Sequence, residues 1–148
     1  MLNQFGGKCI DPYLNMQKLI KIIKIPKIED DGYLCFAEHP EHIPFEIRRV
    51  YYITSPIKGL ARGKHTHQKT RQILFCIRGS VRMVLDDGKK KEEVVLSDPE
   101  NGIVLEPMIW HEMLGMNEDT VLLVLASEKY EAKDYIRDYS EFLKLANK

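Results

Sequence analysis

The sequence predicts an all-β domain, a sandwich or barrel of short strands with a short helix at its C-terminal end. β-Branched and aromatic residues gather in short runs, as in Ile47-Arg-Arg-Val-Tyr-Tyr-Ile-Thr54, a composition that suits a pleated, half-buried surface. Turn signals punctuate these runs: Asp30-Asp31-Gly32, Asp86-Asp87-Gly88, Asp98-Pro99 and Asn101-Gly102. Turns spaced roughly 8–12 residues apart are the mark of sandwiches and barrels. Helical spacing appears over 131–146, where Tyr135, Ile136, Tyr139, Phe142, Leu143 and Ala146 would share a face.

Residues 1–15 carry Gly6-Gly7, Pro12 and no period, and are expected to be a leader or extension to a single domain spanning 16–148. Leu19 to Ile25 is a β-branched run. Strands are then expected over Tyr33–Ala37, Ile47–Thr54, Gln72–Ile77, Ser80–Leu85, Glu93–Leu96, Ile103–Leu105, Trp110–Leu114 and Thr120–Ala126. Asp86-Asp87-Gly88 reads as a hairpin turn, and Lys89-Lys90-Lys91-Glu92-Glu93 beside it as a solvated hairpin face. The chain shows neither an internal repeat nor a second domain.

Composition narrows the function. The chain has 148 residues, with 22 Lys+Arg against 22 Asp+Glu. A formal net charge of zero argues against a nucleic-acid binder. No apolar run approaches the roughly 20 residues that span a bilayer, and the N-terminus lacks the pattern of a secretory signal. Cys9, Cys35 and Cys76 are odd in number and widely spaced, which points to unpaired thiols in a reducing cytoplasm. Cys76 sits in an apolar run and reads as a small core residue.

The stretch Gly59-Leu-Ala-Arg-Gly-Lys-His65-Thr-His67, followed by Gln72 and Gly79, carries the chemistry. On an extended chain, residues i and i+2 face the same way, so His65 and His67 would aim both imidazoles into one space. Imidazole moves protons near neutral pH and is also the commonest metal ligand. His39 and His42, in Glu38-His-Pro-Glu-His42, read as solvated residues of a polar turn.

Gly59, His65, His67 and Gly79 resemble the first motif of the cupins, with Gln72 where that motif carries glutamate. Gly102, Pro107 and His111 resemble the second motif at altered spacing. The resemblance implies a cupin jelly-roll barrel, in agreement with the strand pattern. A closer likeness runs over residues 28–142. Its signatures are Pro44-Phe45-Glu-Ile47-Arg-Arg49-Val50-Tyr51-Tyr52-Ile53, Arg62-Gly63-Lys-His65-Thr-His67-Gln-Lys69, Trp110-His111-Glu112-Met113, Val124-Leu125-Ala126-Ser127 and Asp134-Tyr135-Ile136-Arg137. Taken in order they are similar to the bacterial dTDP-sugar 3,4-ketoisomerases of the WxcM-like cupin family. That resemblance implies a cytoplasmic homodimer that needs no metal and no other cofactor. It implies a dTDP-4-keto-6-deoxyglucose substrate whose carbonyl moves from C4 to C3, feeding amino-sugar synthesis for surface glycans. The Leu19–Ile25 run is a candidate for crossing over between subunits.

The residues suit that reaction. A C4 ketone acidifies the C3 proton; a base removes it, an enediolate forms, and a proton returned to C4 completes the 3-keto sugar. His67 is the expected base at C3 and His65 the partner at C4. By resemblance, Arg49 and Arg62 reach the ligand, and guanidinium forks match phosphate oxygens. Tyr51 shares the strand face of Arg49 and is placed to donate to the sugar or stack near the base. His111 would bound the sugar pocket, and Gln72 would hold His65 or His67 by a hydrogen bond.

Three alternatives stay open on the residues alone. The related 3,5-epimerases act on the same substrate, but are longer and pair their histidine with an aspartate. A non-catalytic nucleotide-sugar-binding cupin would need no proton shuttle. A metal-dependent dioxygenase would use His65, His67 and His111, though Gln72 removes the anionic ligand of such sites. One departure bears on stereochemistry. Family members often carry arginine or tyrosine before the glycine of the early turn, near the sugar, where this chain has Asp31. The histidine of Trp110-His111-Glu112-Met113 resembles the branch that gives the galacto product over the gluco product.

Overall fold

The computed structural model describes residues 18–55 and 57–148; the expected extension over 1–15, with Cys9, lies outside them. In chain order the strands are β1 (Lys21–Lys24), β2 (Lys27–Asp30), β3 (Gly32–Cys35), β4 (Arg49–Thr54), β5 (Arg62–His67), β6 (Gln72–Arg78), β7 (Val81–Asp86), β8 (Lys91–Leu96), β9 (Asn101–Leu105), β10 (Trp110–Leu114), β11 (Val121–Ala126) and β12 (Tyr135–Ile136), followed by one helix, α1 (Tyr139–Ala146). Two five-stranded antiparallel sheets, β1-β9-β6-β11-β4 and β12-β5-β10-β7-β8, face each other, and β2-β3 forms a separate hairpin. The chain passes repeatedly from one sheet to the other, as in a jelly roll.

The alternation of each strand builds the core. Leu74 and Cys76 of β6, Met83 and Leu85 of β7, Ile103 and Leu105 of β9, Met113 of β10 and Leu122 and Val124 of β11 meet between the sheets. The intervening residues Ile73, Phe75, Val104 and Leu125 face outward but are covered by Ile25, Ile43 and Phe45. Covered on both faces, β6 reads as a continuous apolar run, and Cys76 is the small core residue its context predicts. The β7–β8 turn closes as expected, with Asp87 Oδ1 accepting the backbone N–H groups of Lys89 and Lys90.

The C-terminal expectation needs correction. The helical spacing began at 131, yet a single 3-10 turn (Ala132–Asp134) is followed by strand β12, and α1 starts only at Tyr139. Asp138 caps that helix, its side chain accepting the Glu141 backbone N–H. Tyr135 and Ile136 instead pair with His67 and Thr66 of β5, which would otherwise be an open sheet edge. The stretch obeys a period of two: Asp134 and Ile136 are buried, and Tyr135 between them faces the other way.

Candidate active site

Strand β5 organises the site. Its centre pairs with β10, setting His65 beside His111, and its end pairs with β12, setting His67 beside Tyr135. Consecutive residues His111 and Glu112 face His65 and Gly63, so Lys64 is the extra residue of a β-bulge. Gly63 allows the bulge: its φ is +80°, and a Cβ there would stand 2.9 Å from the His111 carbonyl oxygen. The His65 and His67 rings lie 5.0 Å apart edge to face, and His111 stands 4.5 Å from His65.

Each imidazole is held through Nδ1. His65 Nδ1 lies 3.0 Å from the Gly63 carbonyl, His111 Nδ1 3.3 Å from that of Ile109, and His67 Nδ1 3.2 Å from Asp134 Oδ2. Carbonyl and carboxylate oxygens only accept, so each Nδ1 carries the hydrogen and leaves Nε2 with a free lone pair. His67 Nε2 is buried and has no hydrogen-bond partner among the described residues. Burial pushes His67 down to about 4, with His65 adding to the effect and Asp134 opposing it. Burial likewise lowers His65, and holds His111 well below its ordinary value. All three rings are neutral at pH 7.

Asp134 was not singled out for the site by sequence reasoning. Besides His67, it accepts from the Thr70 hydroxyl at 2.5 Å and from the Lys69 backbone N–H at 2.8 Å. Burial alone would raise its pKa, but these donors together hold the carboxyl below its ordinary value. Tyr135 was missed too; its ring lies 4.3 Å from His67 and 5.0 Å from His65. The signal for both was Asp134-Tyr135-Ile136-Arg137, whose alternation was submerged in a helical reading of the tail.

A cleft of about 380 Å³ opens at this end of the sandwich, between the two sheets. Tyr51, Gln72 and Leu74 line it from one side, and Arg62, His65, His111, Tyr135 and Arg137 from the other. Gln72 does not hold a histidine: its Nε2 donates to the Tyr51 hydroxyl at 2.6 Å. Burial pushes Tyr51 up to about 12, with Tyr135 adding, so the phenol keeps its proton and can donate it into the cleft. Arg62 stands at the mouth, its Nη1 only 3.4 Å from the Thr54 carbonyl. Arg49 is not among the lining residues; its guanidinium packs 5.2 Å from the Tyr51 ring and 5.7 Å from that of Tyr130, and its Nε is buried without a partner among the described residues. Arg48 faces the other way, toward Glu46 and Glu128. Asp31 lies in the exposed β2–β3 turn, away from the lining of the cleft. His39 and His42 stand in the loop before β4, where each makes a local backbone contact.

One nitrogen from each of His65, His67 and His111 lies within 4.8 Å of the others, so the three could hold a divalent cation. Their Nδ1 contacts are of the kind that orient metal-bound histidines. The donor set is wholly neutral, which suits zinc better than a hard cation.

The family model described as WxcM-like, C-terminal, matches residues 18–147. The TDP-4-oxo-6-deoxy-alpha-D-glucose-3,4-oxoisomerase of Aneurinibacillus thermoaerophilus is 44% identical over 125 residues, 84% of this chain and 90% of that protein. The sugar 3,4-ketoisomerase of Thermoanaerobacterium thermosaccharolyticum, solved with TDP, is 41% identical, with a TM-score of 0.85 over 89% of this chain and 97% of that one. A histidine-to-asparagine variant of it has been solved with TDP-4-keto-6-deoxyglucose. The TDP-fucose-3,4-ketoisomerase of Campylobacter jejuni is 32% identical, with a TM-score of 0.81 over 86% of this chain and 96% of that one. A histidine paired with an aspartate was expected to mark the 3,5-epimerases, yet His67 has that pairing here, so it does not separate the two reactions. Fold, site and signatures agree: the chain belongs to the WxcM-like family, whose matched relatives are TDP-sugar 3,4-ketoisomerases.

Proposed function

We propose that the protein converts TDP-4-keto-6-deoxyglucose to a TDP-3-keto-6-deoxyhexose by moving a proton from C3 to C4 through an enediolate. The observation that carries this reading is the buried, unpartnered Nε2 of His67, whose opposite nitrogen is fixed on Asp134. A neutral imidazole with one nitrogen held and the other free is a ready base. His67 takes the C3 proton; His65, its ring 5.0 Å away and in the lining of the cleft, returns one to C4. Tyr51, backed by Gln72, donates to the sugar oxygen on which charge develops. His111 walls the sugar pocket and Arg62 meets the diphosphate, while Arg49, packed on the Tyr51 ring behind the lining, adds positive charge toward the ligand.

The relatives named for TDP sugars support this substrate, and their solved complexes hold TDP and the 4-keto sugar. His111 supports the galacto product. The protein acts as a homodimer: Val50 and Tyr52 of β4 and Ile77 of β6 are large apolar side chains left exposed on the outer face of one sheet. It requires no metal, since each proton step has a residue to carry it. Among the described residues no helix is long and apolar enough to cross a membrane.

The test is NMR of TDP-4-keto-6-deoxyglucose with chelator-treated protein in D2O, with a 3-aminotransferase to trap the labile 3-keto product. The expected outcome is a 3-amino sugar carrying deuterium at C4, and the same reaction run in H2O gives the H4 couplings that show the galacto configuration. Deuterium at C3 and C5 with the ketone still at C4 would mean epimerase; unchanged substrate would leave binding alone.

A further inference from the structure

The turn between β5 and β6 is built around one side chain. Gln68 gives its backbone N–H to the Asp134 carbonyl at 2.9 Å and its side-chain amide to the Lys133 carbonyl at 2.8 Å. The next two residues take the Asp134 carboxylate, one oxygen each. Lys69 donates its backbone N–H to Oδ1 at 2.8 Å, and the Thr70 hydroxyl donates to Oδ2 at 2.5 Å. Oδ2 is also the oxygen that accepts from His67. Thr70 is 2% exposed and Asp134 6%, so neither group can trade the other for bulk water without moving.

Asp134 has a second direction open to it. It also lines a cavity of about 320 Å³ outside the histidine cleft, whose other walls include Arg48, Lys69 and Lys129 beside Glu128 and Glu131. Among the described residues no lysine or arginine pairs with Asp134. A buried carboxylate without a cation is stabilised only by the donors it can reach, and that cavity offers water and ammonium groups. A carboxyl turned into it would leave the Nδ1 hydrogen of His67 without its acceptor.

We infer that Thr70 is a positioning residue for the base: it holds Oδ2 of Asp134 on His67 and away from the second cavity. This rests on His67 being the base, as read above. Thr70 is not among the residues lining the cleft, so its effect passes through Asp134. A single donor leaves a carboxylate free to pivot, whereas donors on both oxygens fix its plane, and a hydroxyl on a carboxylate makes one of the stronger hydrogen bonds. With that plane fixed, the hydrogen of His67 stays on Nδ1 and Nε2 keeps its lone pair. The position requires the hydroxyl rather than the bulk: valine has the shape of threonine without the donor, and serine keeps the donor without the methyl group.

Steady-state kinetics of Thr70→Val, Thr70→Ser, Asp134→Asn and the Thr70→Val/Asp134→Asn double variant test the inference. Thr70→Val is expected to lower kcat about tenfold with KM within about twofold of the parent, and Thr70→Ser to restore most of the rate. Adding Thr70→Val to Asp134→Asn should lower kcat little further, because the two residues act in series. A residue that only packed the turn would lower kcat by the same factor in both backgrounds. Should Thr70→Val fail to fold, Thr70→Ala takes its place with the same expectations. Imidazole 15N spectra add a readout that needs no turnover. His67 should carry its hydrogen on Nδ1 in the parent and in Thr70→Ser, and populate the Nε2–H form in Thr70→Val. A Thr70→Val variant with the parent's kcat or the parent's His67 spectrum, or with equal losses in both backgrounds, would overturn the inference alone. A parent without isomerase activity would overturn the assigned reaction, and the His67 spectrum would then decide the role of Thr70 by itself.

Discussion

Asp134 Oδ2 accepts the Nδ1 hydrogen of His67 at 3.2 Å, and that contact decides which nitrogen of the base is free. Replacing the carboxylate with an amide keeps the shape and allows the wrong tautomer, with the hydrogen on Nε2. Asp134→Asn is expected to lower kcat by about a hundredfold or more while changing KM for the sugar nucleotide little. Steady-state kinetics with a coupled 3-aminotransferase would show it, and an unchanged kcat would remove Asp134 from the mechanism.

Stability should depend on pH through the buried histidines. His67 titrates near 4 when folded and near its ordinary 6.5 when unfolded, so the unfolded chain binds more protons between those values. Stability is then fully present above about pH 6.5 and falls as pH drops toward 4. For His67 alone the loss at pH 5 is on the order of 2 kcal/mol, and His111 acts in the same direction. Urea unfolding at pH 7.5 and pH 5 should show the fall, and His67→Asn should flatten it.

Gln72→Glu would restore the glutamate of the cupin motif and tests what the amide is for. A carboxylate cannot donate to Tyr51; it would accept the phenol's hydrogen and turn that hydrogen from the cleft. It would also add an anion near three imidazoles. Isomerase activity should fall by about tenfold or more, and Co(II) affinity, followed by its visible absorption, should rise. Tyr51→Phe should lower activity without the gain in metal affinity.

The bulge at Lys64 rests on Gly63. An alanine there would need a positive φ and would press its Cβ on the His111 carbonyl, 2.9 Å away. Gly63→Ala should destabilise the fold by about 1–3 kcal/mol and lower activity further, by moving His65 relative to His111. Thermal melts and kinetics on one preparation separate the two effects; a variant as stable and active as the parent would show that the bulge does not set the histidine geometry.

Local pattern made most of this protein legible. Alternation and turn chemistry marked β4 and the strands from β6 to β11 to within a few residues, because side chains alternate on strands whatever their partners. The His65/His67 spacing placed two rings on one face for the same reason. What the sequence could not show was which segments meet. Tyr135 and Ile136 satisfy a helical period and a strand period alike, and only the open edge of β5, needing hydrogen-bond partners, drew them into a strand. That pairing brought Asp134 to His67 from 67 residues away and set Arg137 at the cleft. Gln72 likewise found Tyr51 rather than a histidine, because β6 and β4 flank β11 in one sheet while the histidines lie in the other. Chemistry-bearing residue types are written locally in the chain; tautomers, charge balance and the partners of a buried nitrogen depend on long-range pairing, and the tertiary structure decides them.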